Sequence, residues 1–217
     1  MTKGKWTVVA TFSLSAAFVL VAGSVLFSLL EANQSRREAE HLLESFRRLQ
    51  VGATSEDAVA QITDPFQKHR SDGTMNGAVA WTFRYDNYPM SRLHLAPYAS
   101  MDATVVFKDG VLQKKSAMLF VASGISATVE ERKAGFGFPA GDVSDEVPRH
   151  RTGITWNSAT AIRSITISDN TSLEVEKREK DWHIDLRCLD KLRGCIDARS
   201  IIPYVENEAV SASALSR

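Results

Sequence analysis

The sequence predicts an α+β fold: an N-terminal transmembrane helix, then a helix pair packed on an antiparallel β-sheet, with a C-terminal β-meander and a disulfide loop. Three observations carry this reading. Trp6–Leu30 contains no charged side chain. Between Glu31 and Ile62 apolar residues recur at helical spacing, and from Ala78 onward the spacing changes to alternation. Cys188 and Cys195 are the only two cysteines of the chain and stand close together.

At about 1.5 Å of rise per residue, a helix over Trp6–Leu30 exceeds a hydrocarbon core of about 30 Å. Its hydroxyl residues, among them Ser13, Ser24 and Ser28, bond back to the preceding turn. Small residues four apart (Ser24 and Ser28, Ser13 and Ala17) suit helix pairing, although a single lipid-facing helix is the simpler account of them. A cleaved signal peptide has a shorter apolar run and a small-residue cleavage site; no A-x-A site follows Leu30, and no cysteine stands there to carry a lipid. The reading is an uncleaved anchor. Lys3 and Lys5 before it nearly balance Arg36 and Arg37 after it, so the positive-inside rule leaves orientation close to a tie. The cysteines break the tie, because a disulfide belongs to an oxidising compartment. The expected arrangement is a cytoplasmic tail at 1–5, an anchor at 6–30 in a bacterial-type inner (plasma) membrane, and an extracytoplasmic body.

The chain has 217 residues, with 26 basic and 26 acidic side chains and a formal net charge of zero. A nucleic-acid binder would show a basic surplus. No repeat or low-complexity tract interrupts the sequence.

Residues 31–48 read as a helical stalk. EANQSRRE at its start is polar, whereas Ala39, Leu42, Leu43, Phe46 and Leu49 form an apolar stripe, and Glu44 and Arg48 are placed for an i,i+4 pair. Residues 49–133 read as the α+β domain. Gly52 ends the first helix, Thr54 is the expected N-cap of a short second one burying Ala58, Val59 and Ile62, and Pro65 stops it. Ser71–Gly77 reads as a loop. Val79, Trp81, Phe83 and Tyr85 share one face of a strand; Arg92–Tyr98 reads as a second strand. Ala103–Lys108 and Val111–Ser116 flank Asp109-Gly110, the strongest short hairpin signal in the chain. Ala117–Ala122 continues as an apolar run and Ile125–Glu131 alternates again. Residues 134–152, rich in Gly and Pro, read as a loop or linker. Phe136 and Phe138 within it are the candidate interaction loop, the competing reading being that they tuck into the core. Residues 153–205 read as a meander of three strands (Ile162–Ser168, Thr171–Lys177 and Trp182–Arg187) followed by the cysteine loop, and 206–217 as a flexible tail. A bridge closing so short a loop stabilises by roughly 2–3 kcal/mol in the chain-entropy model.

The run Leu49, Gly52, Thr54, Val59, Ile62 and Pro65, followed by Trp81, Phe83 and Tyr85 and then by Val106, Phe107, Asp109 and Gly110, resembles the BamE/SmpA family of small envelope scaffolds. That resemblance covers 49–116. It implies a helix pair packed on an antiparallel sheet and a scaffold role through contacts with other proteins. The family's lipid-bearing cysteine is missing here, and the last third of the chain has no counterpart in the pattern.

No catalytic spacing stands out. His41, His69, His94, His150 and His183 are dispersed, with no H-E-x-x-H arrangement, and no nucleophile elbow, P-loop or dinucleotide fingerprint occurs. His183, Asp185 and Arg187 on one strand face read as the solvent side of a half-covered sheet. Asp142, Asp145 and Glu146 fit no calcium loop. No metal, cofactor or nucleic acid is expected. The expectation is a non-catalytic, membrane-anchored module whose contacts are the bilayer, through 6–30, and a protein partner. The alternative is a small-ligand-binding or sensor domain, with Trp81, Phe83, Tyr85, Tyr88 and Tyr98 as candidate pocket lining.

Overall fold

Helical periodicity does not pause where the apolar run ends, and α1 forms as one continuous helix over Lys3–Arg48, 46 residues long. The computed structural model describes residues 3–75, 77–134, 136, 150–156, 162–171, 173–192 and 194–203, with side chains in α1 described from Ala16. Phe18, Val19, Leu20 and Val21 are 74%, 67%, 71% and 64% exposed. Each residue advances about 100° around a helix, so these four cover its whole circumference, and among the described residues none encloses any side of it there. Among the described residues α1 is the one helix long and apolar enough to cross a membrane.

One side of α1 becomes buried from Ser28 onward, where Ala32, Ala39, Leu42, Leu43 and Phe46 are enclosed. The expected polar stalk is therefore packed on the body. Ala32 sits with Met90 and Ala96, and the Ser35 hydroxyl donates to the Asp86 carbonyl at 3.1 Å.

After the turn at Gly52, α2 runs over Glu56–Thr63. Its N-cap is Ser55, whose hydroxyl accepts from the Ala58 amide at 3.2 Å. Thr54, the expected cap, instead accepts from the Gln50 amide and closes the preceding turn. Only Val59 and Thr63 of α2 are buried; Ile62 stays exposed. Pro65 opens a 3₁₀ turn over Asp64–His69, where its fixed φ suits a first helical turn.

Strands β1 (Arg70–Met75) and β2 (Ala78–Asp86) pair antiparallel. The expected loop at Ser71–Gly77 is thus mostly an edge strand. Its composition is polar because an edge strand faces water on most sides, and the Arg70 guanidinium lies over the Trp81 ring at 3.8 Å. The expected strand at Arg92–Tyr98 is instead the end of α3 (Tyr88–Arg92) and the turns after it. Asn87 staples this excursion shut: its amide donates to the Pro97 carbonyl at 2.9 Å and its carbonyl accepts from the Ala99 amide at 2.8 Å. Strands β3 (Ala99–Lys108) and β4 (Val111–Val121) follow. Asp109 and Gly110 turn the chain between them with φ of 54° and 72°, the left-handed pair that an Asp-Gly turn provides. Next comes β5 (Ile125–Arg132).

The last two strands, β6 (His150–Trp156) and β7 (Ile162–Asn170), join the same sheet. The order is β1-β2-β3-β4-β5-β7-β6. Every pairing is antiparallel except β5 with β7, which is parallel, so the sheet is mixed. Residues on both sides of the expected linker at 134–152 belong to one sheet, and His150–Thr152 is strand. The expected three-stranded meander does not form. Both edges of β7 are already occupied, by β5 and β6, so Thr171–Lys177 cannot fold back and pair with it. The Glu-, Lys- and Arg-rich run becomes α4 (Val175–Asp181), in keeping with the helix preference of those residues. Trp182–Leu186 is irregular but keeps its alternation: Trp182 and Leu186 are buried and His183 is exposed.

One face of the sheet carries the core. Phe83, Met101, Ala117, Leu119, Val129 and Ile165 meet the upper half of α1 and the C-terminal segment of Trp182, Leu186 and Ile201. Phe46 of α1 packs edge-on to Phe83, with centroids 5.9 Å apart, and lies 6.4 Å from Trp182.

Candidate functional site

Two charged side chains point inward where the alternation calls for apolar ones. Lys115 shares the inward face of β4 with Ala117 and Leu119, and Glu131 shares that of β5 with Ala127 and Val129. They are register partners, with Nζ 3.0 Å from Oε2. The Lys115 ammonium also donates to the carbonyls of Phe46 at 3.0 Å and Leu49 at 2.8 Å, in and just past the last turn of α1. Arg178 of α4 makes a second ion pair with Glu131, and the Trp182 ring lies 4.7 Å from the ammonium. Every charge of this node is answered within the protein. Its work is to fasten the far end of α1 to the sheet.

The end of the body nearest the apolar half of α1 is less closed. There a cleft of about 520 Å³ is bounded by α1, the 3₁₀ turn and β2. Helical spacing brings Phe27, Glu31, Gln34 and Glu38 onto one stripe of α1. Glu38 accepts three side-chain hydrogen bonds: from Gln34 at 3.0 Å, Lys68 at 2.9 Å and His69 at 2.9 Å. Burial pushes its carboxyl pKa upward, but these hydrogen bonds and the Lys68 charge outweigh that and hold it at about 2. A carboxylate held that low is a weak base, so Nε2 of His69 must be the donor in their contact. The His69 ring leans on the Tyr85 ring at 4.1 Å. The Tyr85 hydroxyl is buried without a hydrogen-bond partner among the described residues, and burial, then the Glu38 charge, pushes its pKa upward. Arg84, also in the lining, is engaged by Asp102 at 2.7 and 2.8 Å.

A second depression, of about 580 Å³, adjoins the first and shares Phe27, Glu31 and Pro89 with it. It is a groove between α1 and α3. Val19, Leu20 and Gly23 line one side; Tyr88, Arg92 and Leu93 line the other. Tyr88 and Leu93 are exposed.

Of the residues singled out from sequence, Cys188 and Cys195 form the disulfide, with Cα atoms 5.3 Å apart. Its loop reaches two neighbours: Asp190 pairs with Arg36 of α1 at 2.7 Å, and Gly194 packs on Pro97 behind α3. Phe136 is partly buried against Ala78, Ala80 and Val106, the tucked alternative; Phe138, Asp142, Asp145 and Glu146 lie outside the described residues. Among the described residues no cluster of metal-ligating side chains occurs. Trp81 and Phe83 are core, Tyr85 links core to cleft, and Tyr88 stands at the groove. The cleft itself escaped the sequence reading because Glu38 meets Lys68 and His69 only through tertiary contact, although the stripe on α1 was visible. The inward parity of Lys115 and Glu131 was an available signal for the node. The chain matches no protein-family model, no curated protein and no solved structure.

Proposed function

We propose that this protein is a single-span, membrane-anchored module with its body outside the cytoplasm, and that it works by holding other proteins at the membrane surface rather than by catalysis. The observation that carries this reading is the full circumference of exposed apolar side chains on α1, continuous with a helix whose upper half is core. Lipid is the surrounding that such a surface fits, and a helix built into the core holds the body close to the membrane. The disulfide favours an oxidising compartment.

The scaffold role rests on the outer face of the sheet. Met118 and Phe120 stand there, 41% and 39% exposed, beside the polar register partners Asp102, Thr128, Ser100 and Ser126. A shallow apolar patch rimmed by polar groups is the form of a protein contact. Glu38, Lys68, His69 and Arg84 of the cleft are each engaged in an ion pair, which favours binding over reaction, and a BamE/SmpA-like scaffold role agrees with both points.

The test has two parts. After carbonate washing the full chain is expected to stay with the membrane, and protease added from the extracytoplasmic side is expected to digest the body; release by carbonate, or protection from that protease, overturns the placement. A photo-crosslinker at position 118 or 120 is expected to give discrete protein adducts in intact cells, which the same crosslinker at exposed Asp72 does not. Equal labelling from both sites would remove the patch as the binding surface.

A further inference from the structure

The groove between α1 and α3 lies at a particular depth. Counting from Trp6 at about 1.5 Å per residue, a hydrocarbon core of about 30 Å ends near Val25. Val19, Leu20 and Gly23 then lie inside the hydrocarbon, and α3, whose Tyr88 and Leu93 face them across the groove, reaches the same level. Glu31 lies above that boundary, on the stretch of α1 where the body begins. Helical side chains lean toward the N-terminus, which brings its carboxylate back toward the headgroups.

Val19, Leu20, Phe27 and Leu93 make much of the groove's lining apolar, and its charged lining residues are Glu31 and Arg92. Glu31 and Arg92 are both exposed, both line it, and neither has an ionic partner among the described residues. They contrast with Glu38, Lys68 and Arg84 next door, which are paired. One unpaired anion and one unpaired cation over an apolar slot complement a ligand with both charges on its head and a hydrocarbon tail. The floor of the slot is open at Gly23, where an added Cβ would meet no atom within 4 Å.

We propose that this groove is a binding site for one zwitterionic phospholipid of the surrounding bilayer, with an acyl chain between α1 and α3, the phosphate at Arg92 and the ammonium at Glu31. The inference rests on α1 spanning a membrane. The occupant is a membrane lipid and not a free phosphate, because the groove is continuous with the apolar circumference of α1. An anionic lipid satisfies Arg92 but brings its charge up to Glu31.

The full chain is reconstituted into vesicles of equal parts phosphatidylethanolamine and phosphatidylglycerol, re-extracted in mild detergent, and its retained lipid measured by mass spectrometry. About one phosphatidylethanolamine per chain is expected, enriched several-fold over phosphatidylglycerol. Gly23→Leu, whose added Cβ meets no protein atom within 4 Å, is expected to reduce retention about tenfold while the thermal melt of the body stays unchanged. Ala17→Leu, outside the groove, is expected to leave retention intact. Glu31→Gln is expected to abolish the preference between the two lipids. Retained lipid in the bulk ratio, or retention indifferent to Gly23→Leu, overturns the site. Carbonate extraction of the same preparation separates the two readings: a protein that resists carbonate yet retains no lipid loses only this site, whereas one that carbonate strips loses the membrane span as well.

Discussion

Lys115 shows how a single residue joins two elements. Breaking a buried pair by removing one partner costs about 3–5 kcal/mol, because a charge is left buried. Lys115→Met keeps much of the volume but leaves Glu131 to Arg178 alone and takes the ammonium from the carbonyls of Phe46 and Leu49. A loss of about 3 kcal/mol is expected in urea unfolding of the detergent-solubilised chain. Burial pushes the Lys115 pKa down, with Glu131 pulling the other way. Between that lowered value and the ordinary 10.5 the unfolded chain binds more protons, so stability rises with pH across the window. The stability difference between wild type and Lys115→Met should therefore shift in favour of wild type as pH rises toward 10.5; a flat difference would contradict the assignment.

Glu38 runs in the opposite sense. Its native pKa of about 2 lies below the ordinary 4.5, so its contribution is whole above the unfolded value and is lost as pH falls between the two. Glu38→Gln is expected to lower stability at neutral pH and to flatten the acid limb of the unfolding profile in that range. These residues were only half legible beforehand. The alternation of β4 and β5 put Lys115 and Glu131 on the inward face, but nothing local says which carbonyls a lysine will reach. No spacing rule connects Glu38 to Lys68 and His69.

Among the elements, the disulfide loop couples α1 to α3. It ties to the helix through Asp190 and Arg36, and its Gly194, at φ of 62°, lies where a Cβ would come 3.2 Å from Cγ of Pro97. Replacing both cysteines by serine is expected to cost about 2–3 kcal/mol by chain entropy. It should also speed amide hydrogen exchange at Met90–Pro97 as well as within the loop. Exchange confined to the loop would show that the bridge acts only locally. Local patterns succeeded where an element closes on its immediate neighbour, as in the Asp109-Gly110 hairpin and the Ser55 region one residue from its expected cap. They failed at Ser71–Gly77 and Thr171–Lys177 because strand formation needs a free partner edge. Strand β2 offered one to a polar segment, whereas β7 had none left for a segment with suitable alternation.

For the molecule as a whole, α1 carries both an apolar stretch long enough to cross a membrane and part of the core. A chain beginning at Leu49 lacks Leu42, Leu43 and Phe46 and is expected to give no cooperative thermal transition. A chain beginning at Ser28 keeps them and is expected to melt cooperatively. Within the full chain, Phe46→Ala is expected to cost about 3–5 kcal/mol, read by urea unfolding. A stable body without α1 would mean that the helix is a tether and no more.

Residue order alone was enough for the apolar helix, the cysteine bridge and the Asp109-Gly110 hairpin, because each depends on composition or on contacts a few positions apart. The parallel pairing of β5 with β7, the burial of α1 against the sheet and the cleft beneath the body needed the folded chain. They join residues distant in sequence, and which of them meet depends on which edges and faces the rest of the chain has already covered.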